Sequence, residues 1–434
     1  MNQRQTLKIN NKGHLEIAGA DTVDLAAEFG TPLYVMDKSY IKNMCNVFVK
    51  TLAAEYGEGL ISYASKAFCC KEIYRTIDSC GLGADVVSGG ELYTALCSNF
   101  PVEKLTFHGN NKSYDELLYA IKNNVGYIVI DSEGEAEDIE EICAEINKKQ
   151  NVLIRVNPGV EAHTHHYIQT SKVDSKFGFS ISDGSAESAI LLTASKPHLN
   201  LVGLHCHIGS QIFEKKSFCI AVDKMTDFYK HLLDKFGISF SVLNLGGGFG
   251  IYYAGDDAKI SSDGYADYIK EICGELKRCV AEKGIQKPYL ILEPGRSIVG
   301  EAGITLYTVG RVKEIKNIKN YLAVNGGMFD NPRFALYQAK YSVAAAGRMN
   351  DKSEKLYTIA GKCCESGDLI AEDCPLPEMR KGDLLAVFST GAYNYSMASN
   401  YNRNLIPPVI MVENGKAKYA VKPQSYVDLI RNDV

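Results

Sequence analysis

Leu60-Ile61-Ser62-Tyr63-Ala64, followed at once by Ser65-Lys66, is a short β-prone run that stops on a polar pair, and it is the first of eight. The others are Ala84–Val87, Lys104–Phe107, Tyr127–Ile130, Val152–Val156, Leu201–Cys206, Val242–Leu245 and Tyr289–Leu292. Stretches of helical period lie between them, among them Gly90–Ser98, Tyr114–Lys122, Ser132–Lys148 and Ala266–Lys283. Such alternation marks successive β-α units, and eight units predict an α/β chain with a TIM-like (β/α)8 barrel. A doubly wound sheet is the alternative, but it would carry G-x-G-x-x-G after its first strand. That fingerprint is missing, and the polar residues of interest follow many different strands.

Beyond Ser297 the texture changes to strand-like segments without long helices: Ile304–Val312, Tyr321–Val324, Lys355–Ile359, Leu384–Phe388 and Pro408–Val412, broken by Gly, Pro and Asn. Leu15–Ile17 and Leu33–Val35 read the same way. The prediction is therefore a barrel over 37–297 and a second, β-rich domain formed by 1–36 plus 298–434.

Hydrophobic residues make up 46% of the 434 and charged residues 23%, which is enough apolar material for a sizeable core and speaks against disorder. The net charge is -5 and no basic block occurs. This argues against a nucleic-acid surface and for a small-molecule partner. Met1–Gly13 lacks the apolar core of an export signal, and no uncharged apolar run reaches the roughly 18 residues that span a bilayer. Thirteen cysteines, scattered or adjacent and never spaced C-x-x-C, point to reduced thiols in a cytoplasm.

Lys66 ends the first strand and so stands at the mouth where barrels place their chemistry. A lysine there can form a Schiff base with an aldehyde such as pyridoxal phosphate, although a surface lysine is the commoner occupant of such a position. Gly246-Gly247-Gly248-Phe249-Gly250 follows the seventh strand, where exposed backbone N–H groups can hold a phosphate; a tight turn without ligand is the plainer reading. Glu293-Pro294-Gly295-Arg296 ends the eighth strand with an acid that can hold a proton on a pyridine nitrogen and a base that can bind an anion, or with a simple ion pair.

His205-Cys206-His207 sets two imidazoles on one face of the sixth strand. A metal pair, with help from His163, His165 and His166, is one reading. No strong ligand spacing accompanies it, so the expectation is no metal, His205 in the core, and His207 stacked on a flat ring with Gly209-Ser210 near a phosphate. In the β-rich part, Cys364-Glu365 offers a proton donor beside a carboxylate, Arg333 with Tyr337 offers an anion receptor, and Tyr393 adds a phenol. None of these three is specific alone.

Taken in order, Tyr63-Ala64-Ser65-Lys66, His205 to Gln211, Gly246 to Gly250, Glu293 to Arg296, Cys364 to Asp368 and Gly391-Ala392-Tyr393 resemble the diaminopimelate decarboxylases over nearly the whole chain. That family belongs to the pyridoxal-phosphate fold group of alanine racemase and the eukaryotic-type ornithine decarboxylases, which have an N-terminal barrel and a C-terminal β domain that completes the active site. The resemblance implies a cytoplasmic enzyme that decarboxylates meso-2,6-diaminopimelate to L-lysine and CO2, the last step of lysine biosynthesis. Lys66 would hold pyridoxal 5'-phosphate, His207 would stack on it, and Glu293 would face its ring nitrogen. Ser210, Gly246, Gly247, Gly248, Gly295 and Arg296 would surround the phosphate, with Asp85 and Arg155 nearby and Tyr393 reaching in from the β domain. Arg296, Arg333, Tyr337 and Tyr393 would meet the substrate, Glu365 would hold its far ammonium, and Cys364 would return the proton. Cys364 and Glu365 would come from the other subunit of a homodimer. The chain departs from the family at Asn325, where aspartate is usual.

Overall fold

The computed structural model describes residues 6–160, 176–255 and 257–434. The chain forms two compact units, one of Met44–Gly250 with Ile260–Gly295, the other of Met1–Asn43, Ile251–Lys259 and Arg296–Val434.

The first unit is a closed barrel of eight parallel strands: Gly59–Ala64, Gly83–Val86, Leu105–Phe107, Tyr127–Ile130, Gln150–Asn157, Leu199–His205, Val242–Asn244 and Tyr289–Leu292. Each neighbour pair is in parallel register, and the eighth strand returns to the first through Leu292↔Ile61. All eight runs read from the sequence are strands, with ends that shift by a residue or two. Val129, Leu153, Val242 and Ile291 point into the interior and are almost fully buried, with Leu60, Tyr127, Val202 and Tyr289 packed on them. The barrel is therefore filled by side chains, and its chemistry is left to the strand ends.

The helices between strands are started by local chemistry. Ser88, Ser113 and Ser132 cap three of them by accepting from the backbone N–H three residues on, and Ser113 with Glu116 completes a reciprocal capping box. The long helices Lys215–Phe236 and Ser262–Lys283 stop at Gly237 and Gly284, both left-handed. The first of these was not among the helices read from the sequence. None of the helices among the described residues is long and apolar enough to cross a membrane.

In the second unit the thirteen-residue strand Gly303–Ile315 is the hub. It pairs antiparallel with Lys319–Val324, Leu384–Phe388 and Leu33–Asp37. Leu33–Asp37 pairs on its other edge, in parallel, with Val409–Glu413. The N-terminal flank is thus an interior strand of a sheet otherwise made by the C-terminal third, and Leu15–Ile17 belongs to a separate three-stranded sheet. One core of this unit includes Ile251 and Tyr253 beside Tyr307, Leu322, Tyr357 and Leu385. Burial of those two side chains explains why Ile251–Lys259, which follows the glycine run, belongs to this unit instead of the barrel.

Candidate active site

Lys66 lies in a single 3-10 turn, Ser65–Ala67, directly after the first barrel strand. Ser65 and Ala67 are buried and Lys66 is exposed, so the turn anchors itself on both sides and presents the amine. Two bonds set the turn: Ser65 N donates to Asp85 Oδ1 at 3.0 Å, and Tyr63 OH donates to Phe68 O at 2.8 Å. Asp85 is buried near the end of the second strand. Burial, reinforced by the negative charge of Glu293, pushes its carboxyl well above the usual range, and the Lys66 cation only partly opposes this.

Glu293 follows the eighth strand and has three side-chain hydrogen-bond partners among the described residues. His108 Nε2 and Asn244 Nδ2 donate to Oε1 at 2.8 and 2.6 Å, and His205 Nε2 stands 3.3 Å from Oε2. Burial alone would raise this carboxyl, but the two imidazoles, through charge and hydrogen bonding, hold it well below the ordinary value. The same burial lowers the His205 imidazole to about 4. His205 is neutral and donates from Nε2, a core histidine with a polar duty.

His207, two residues on, is half-buried and accepts from Gly247 N at 3.3 Å through Nδ1. Withdrawal from water, together with the cations of Lys66 and Arg155, holds its imidazole well below the usual value. The lowering by Lys66 shows that the lysine and this ring share one electrostatic neighbourhood. Arg155 itself lies 4.3 Å over the Phe177 ring.

The glycine run is a place where side chains are excluded by contact. A Cβ on Gly247 would meet Glu293 O at 2.0 Å, and one on Gly248 (φ +114) would meet Gly209 O at 2.4 Å. Ile212 N donates to Gly248 O at 2.9 Å and Gly250 N to Ile212 O at 3.1 Å, which ties the run to the loop that carries Ser210. Gly246 N donates to Asn244 Oδ1 at 2.9 Å. Gly295 is packed against Ala64 and has no room for a larger side chain. His163, His165 and His166 lie outside the described residues.

The second unit brings two arginines together over one phenol. Arg296, at the start of Arg296–Val299, donates to Tyr253 OH through Nη1, and its guanidinium lies 4.5 Å from the Tyr393 ring centre. Arg333 donates to Tyr341 OH at 2.9 Å and lies 4.8 Å over the Tyr253 ring. Both arginines are buried, and Arg333 has phenols and no carboxylate as partners among the described residues. Tyr393 is half-buried and left-handed, with φ +62. Tyr337, at the end of Arg333–Tyr337, is 43% exposed.

Cys364 and Glu365 are exposed on a loop held from beneath. Asp368 is buried and accepts from Met328 N and Cys363 N, both at 2.6 Å, and Cys364 N donates to Asn402 Oδ1 at 2.8 Å. The thiol and the carboxylate are therefore offered to solvent by a fixed backbone.

Four residues of these clusters were not singled out in the sequence: His108, Asn244, Tyr253 and Tyr341. His108 and Asn244 had a signal, because each stands at or just past the end of a barrel strand, as Lys66 does. Tyr253 and Tyr341 had none, since only the packing of Ile251–Lys259 reveals their neighbours.

A family model described as the pyridoxal-binding domain of pyridoxal-dependent decarboxylases matches residues 40–300. Among curated proteins, diaminopimelate decarboxylase of Bacillus subtilis (strain 168) is 47% identical over 429 residues, 99% of this chain and 97% of that one. Among solved structures, diaminopimelate decarboxylase of M. jannaschii in complex with L-lysine is 35% identical with a TM-score of 0.91, covering 100% of this chain and 99% of that one. The Helicobacter pylori enzyme complexed with L-lysine is 31% identical with a TM-score of 0.86, over 95% and 98% of the two chains.

Proposed function

This chain belongs to the diaminopimelate decarboxylases, within the pyridoxal-dependent decarboxylases, and from that premise we propose how its own residues carry the reaction. It is a pyridoxal 5'-phosphate enzyme that converts meso-2,6-diaminopimelate to L-lysine and CO2, the closing step of lysine biosynthesis. One observation carries the reading: an exposed lysine, a half-buried imidazole, a side-chain-free glycine cradle and an ionised, buried carboxylate all sit at the strand ends of one barrel.

These residues fit the cofactor. The cradle at Gly246, Gly247 and Gly248 leaves room that any Cβ would fill, and backbone N–H groups there, with Ser210, Gly295 and Arg296, suit a phosphate. Lys66 would be the amine that holds the cofactor's aldehyde, and His207 would be the imidazole beside its ring. Glu293, kept ionised, would be the anion that keeps a proton on the ring nitrogen; Asp85 orders the Lys66 turn through Ser65 N. When bound, pyridoxal phosphate supplies an electron sink for the pair left behind as the α-carboxylate departs.

The substrate is held by the second unit's side chains. Arg333 and Arg296, with Tyr337 and Tyr393, receive its distal carboxylate. A buried guanidinium whose partners are only phenols is costly unless an anion joins it, and this is what favours a dicarboxylic substrate over a plain diamine precursor. Glu365 binds the distal ammonium, and Cys364 delivers the proton to the α-carbon.

The working form is a homodimer in the cytoplasm, in which Cys364 of the partner subunit serves each site. Exposure of Cys364 and Glu365 supports this, as does the C-terminal helix Tyr426–Ile430 with Tyr426, Val427 and Ile430 uncovered. That helix is linked to the same loop, because Arg403, next to Asn402, donates to Leu429 O at 2.7 Å. All thirteen cysteines are free, as a reducing compartment requires.

The test is an end-point assay of the reconstituted protein with meso-diaminopimelate, ornithine and lysine in parallel. We expect L-lysine and CO2 in equal amounts from diaminopimelate alone and none from Lys66→Ala. Comparable turnover of ornithine would sink the assignment of Arg333 to a carboxylate.

A further inference from the structure

Among the described residues Glu293 has three donors within reach, and they do not share it evenly. Oε1 faces His108 Nε2 at 2.8 Å and Asn244 Nδ2 at 2.6 Å, whereas Oε2 faces, among the described residues, only His205 Nε2 at 3.3 Å. The Asn244 amide cannot turn round, because its Oδ1 accepts from Gly246 N at 2.9 Å. His108 is fixed from its backbone, whose N–H donates to Val86 O at 2.8 Å. Its ring is buried and meets His205 edge-on, with centroids 4.8 Å apart. An oxygen that accepts two short bonds is filled, while one with a single long bond keeps a lone pair to offer.

We propose that His108 is a positioning residue for the decarboxylation: with Asn244 it saturates Oε1 of Glu293, and this leaves Oε2 as the oxygen that meets the protonated ring nitrogen of the bound cofactor. The proposal rests on the reading of Glu293 as that nitrogen's partner. Without His108, Oε1 keeps one donor, the carboxylate is free to turn, and its buried charge loses stabilisation. Protonation of Glu293 then becomes easier, and a neutral acid cannot keep a proton on the ring. The charges of Asp85 and Arg155 also reach Glu293, but of these two neither is among its hydrogen-bond partners.

The same three side chains also have the composition of a two-histidine, one-carboxylate metal site. The 2.8 Å from His108 Nε2 to Oε1 is a hydrogen-bond distance, shorter than the separation of about 3 Å or more between ligand atoms around a zinc ion. The geometry favours a proton between these atoms.

His108→Leu and His108→Gln, both as holoenzyme, test the proposal, since a glutamine amide can still donate to Oε1. The readouts are the pH dependence of the cofactor absorbance, the cofactor dissociation constant, and kcat separated from KM. We expect His108→Leu to lower kcat about 10-fold or more with KM little changed. It should also loosen the cofactor and move the acid limb of the absorbance profile up by about one pH unit. His108→Gln should recover most of both effects. A leucine variant with the parental rate and profile overturns the proposal, and so does a stoichiometric divalent metal in the purified holoenzyme. Where leucine prevents folding, His108→Asn, too short to reach Oε1, takes its place against His108→Gln. Glu293→Gln separates premise from inference: a parental spectrum and rate in that variant would remove the ring-nitrogen reading itself. An impaired Glu293→Gln beside a silent His108→Leu removes only the role of His108.

Discussion

Glu293 in the barrel unit and Asp330 in the β-rich unit are both carboxylates with almost no exposure, 6% and 0%, and burial alone pushes both upward. They end in opposite states. Two imidazoles bring Glu293 well below the ordinary value. Asp330, which accepts from Tyr307 OH and from Gly327 N at 3.3 Å, rises to about 8, with the charge of Asp368 adding to the effect of burial. The difference teaches that hydrogen bonds from phenol and amide satisfy a buried carboxyl but do not ionise it. Ionisation takes neighbours that can themselves carry positive charge. The barrel places such neighbours in hydrogen-bond contact with Glu293, whereas the Lys362 charge reaches Asp330 without outweighing its burial, and its side-chain hydrogen-bond partners among the described residues are a phenol and a backbone N–H.

The largest effect should come from removing the ionised member. Glu293→Gln is expected to lower kcat by about 100-fold or more, because the charge that stabilises the electron sink is gone. Steady-state rates at saturating diaminopimelate decide it. A loss below about threefold would mean that the state of this carboxyl has no bearing on the reaction, and the contrast with Asp330 would lose its functional side.

The two carboxyls also predict stability slopes of opposite sign. Glu293 has a folded-state value below the unfolded one, so its contribution is present above about pH 4.5 and is lost as pH falls. Asp330 has a folded value near 8 against an unfolded one of 3.8, so its contribution is complete below the latter and is lost as pH rises towards 8. Asp330→Asn, neutral at every pH, should therefore be close to the parent in acid and gain on it by a few kcal/mol as pH rises to about 8. Thermal unfolding of both proteins between about pH 5 and about pH 8 measures the gap. A gap that narrows with rising pH would place Asp330 among the ionised carboxylates.

The barrel was legible because its strands announce themselves twice, by β-branched runs and by the polar residue each run stops on. Lys66, Glu293 and the glycines could be read for that reason, and His108 and Asn244 carried the same mark without being used. Ile251–Lys259 was not legible in this way. It follows a barrel motif in sequence and is assigned to the other unit by the burial of Ile251 and Tyr253, a fact of packing that local pattern does not encode. The pairing of Arg296 and Arg333 through Tyr253 was hidden for the same reason. The ionisation contrast was hidden too, since nothing in the words Glu or Asp says which donors will face them.

A third carboxylate, absent in this chain, gives the smallest and sharpest test. Asn325 stands where the family resemblance leads one to expect aspartate, and its amide uses both ends: Oδ1 accepts from Thr308 N at 2.9 Å, while Nδ2 donates to Thr31 O at 2.8 Å and to Thr31 Oγ1 at 2.9 Å. An ionised aspartate can keep the first bond and can accept from the Thr31 hydroxyl, but it sets an oxygen against the Thr31 carbonyl. Its hydrogen-bond partners among the described residues are dipoles and not cations, so by the logic of Asp330 it should take up a proton and donate to that carbonyl when pH is low. Asn325→Asp is therefore expected to cost about 1 to 2 kcal/mol at neutral pH and less in acid. Denaturant unfolding at two pH values reads the difference. Equal stability at both would show that a carboxylate can be kept charged here by dipoles alone, and the distinction drawn between Glu293 and Asp330 would then need a cause other than the imidazoles.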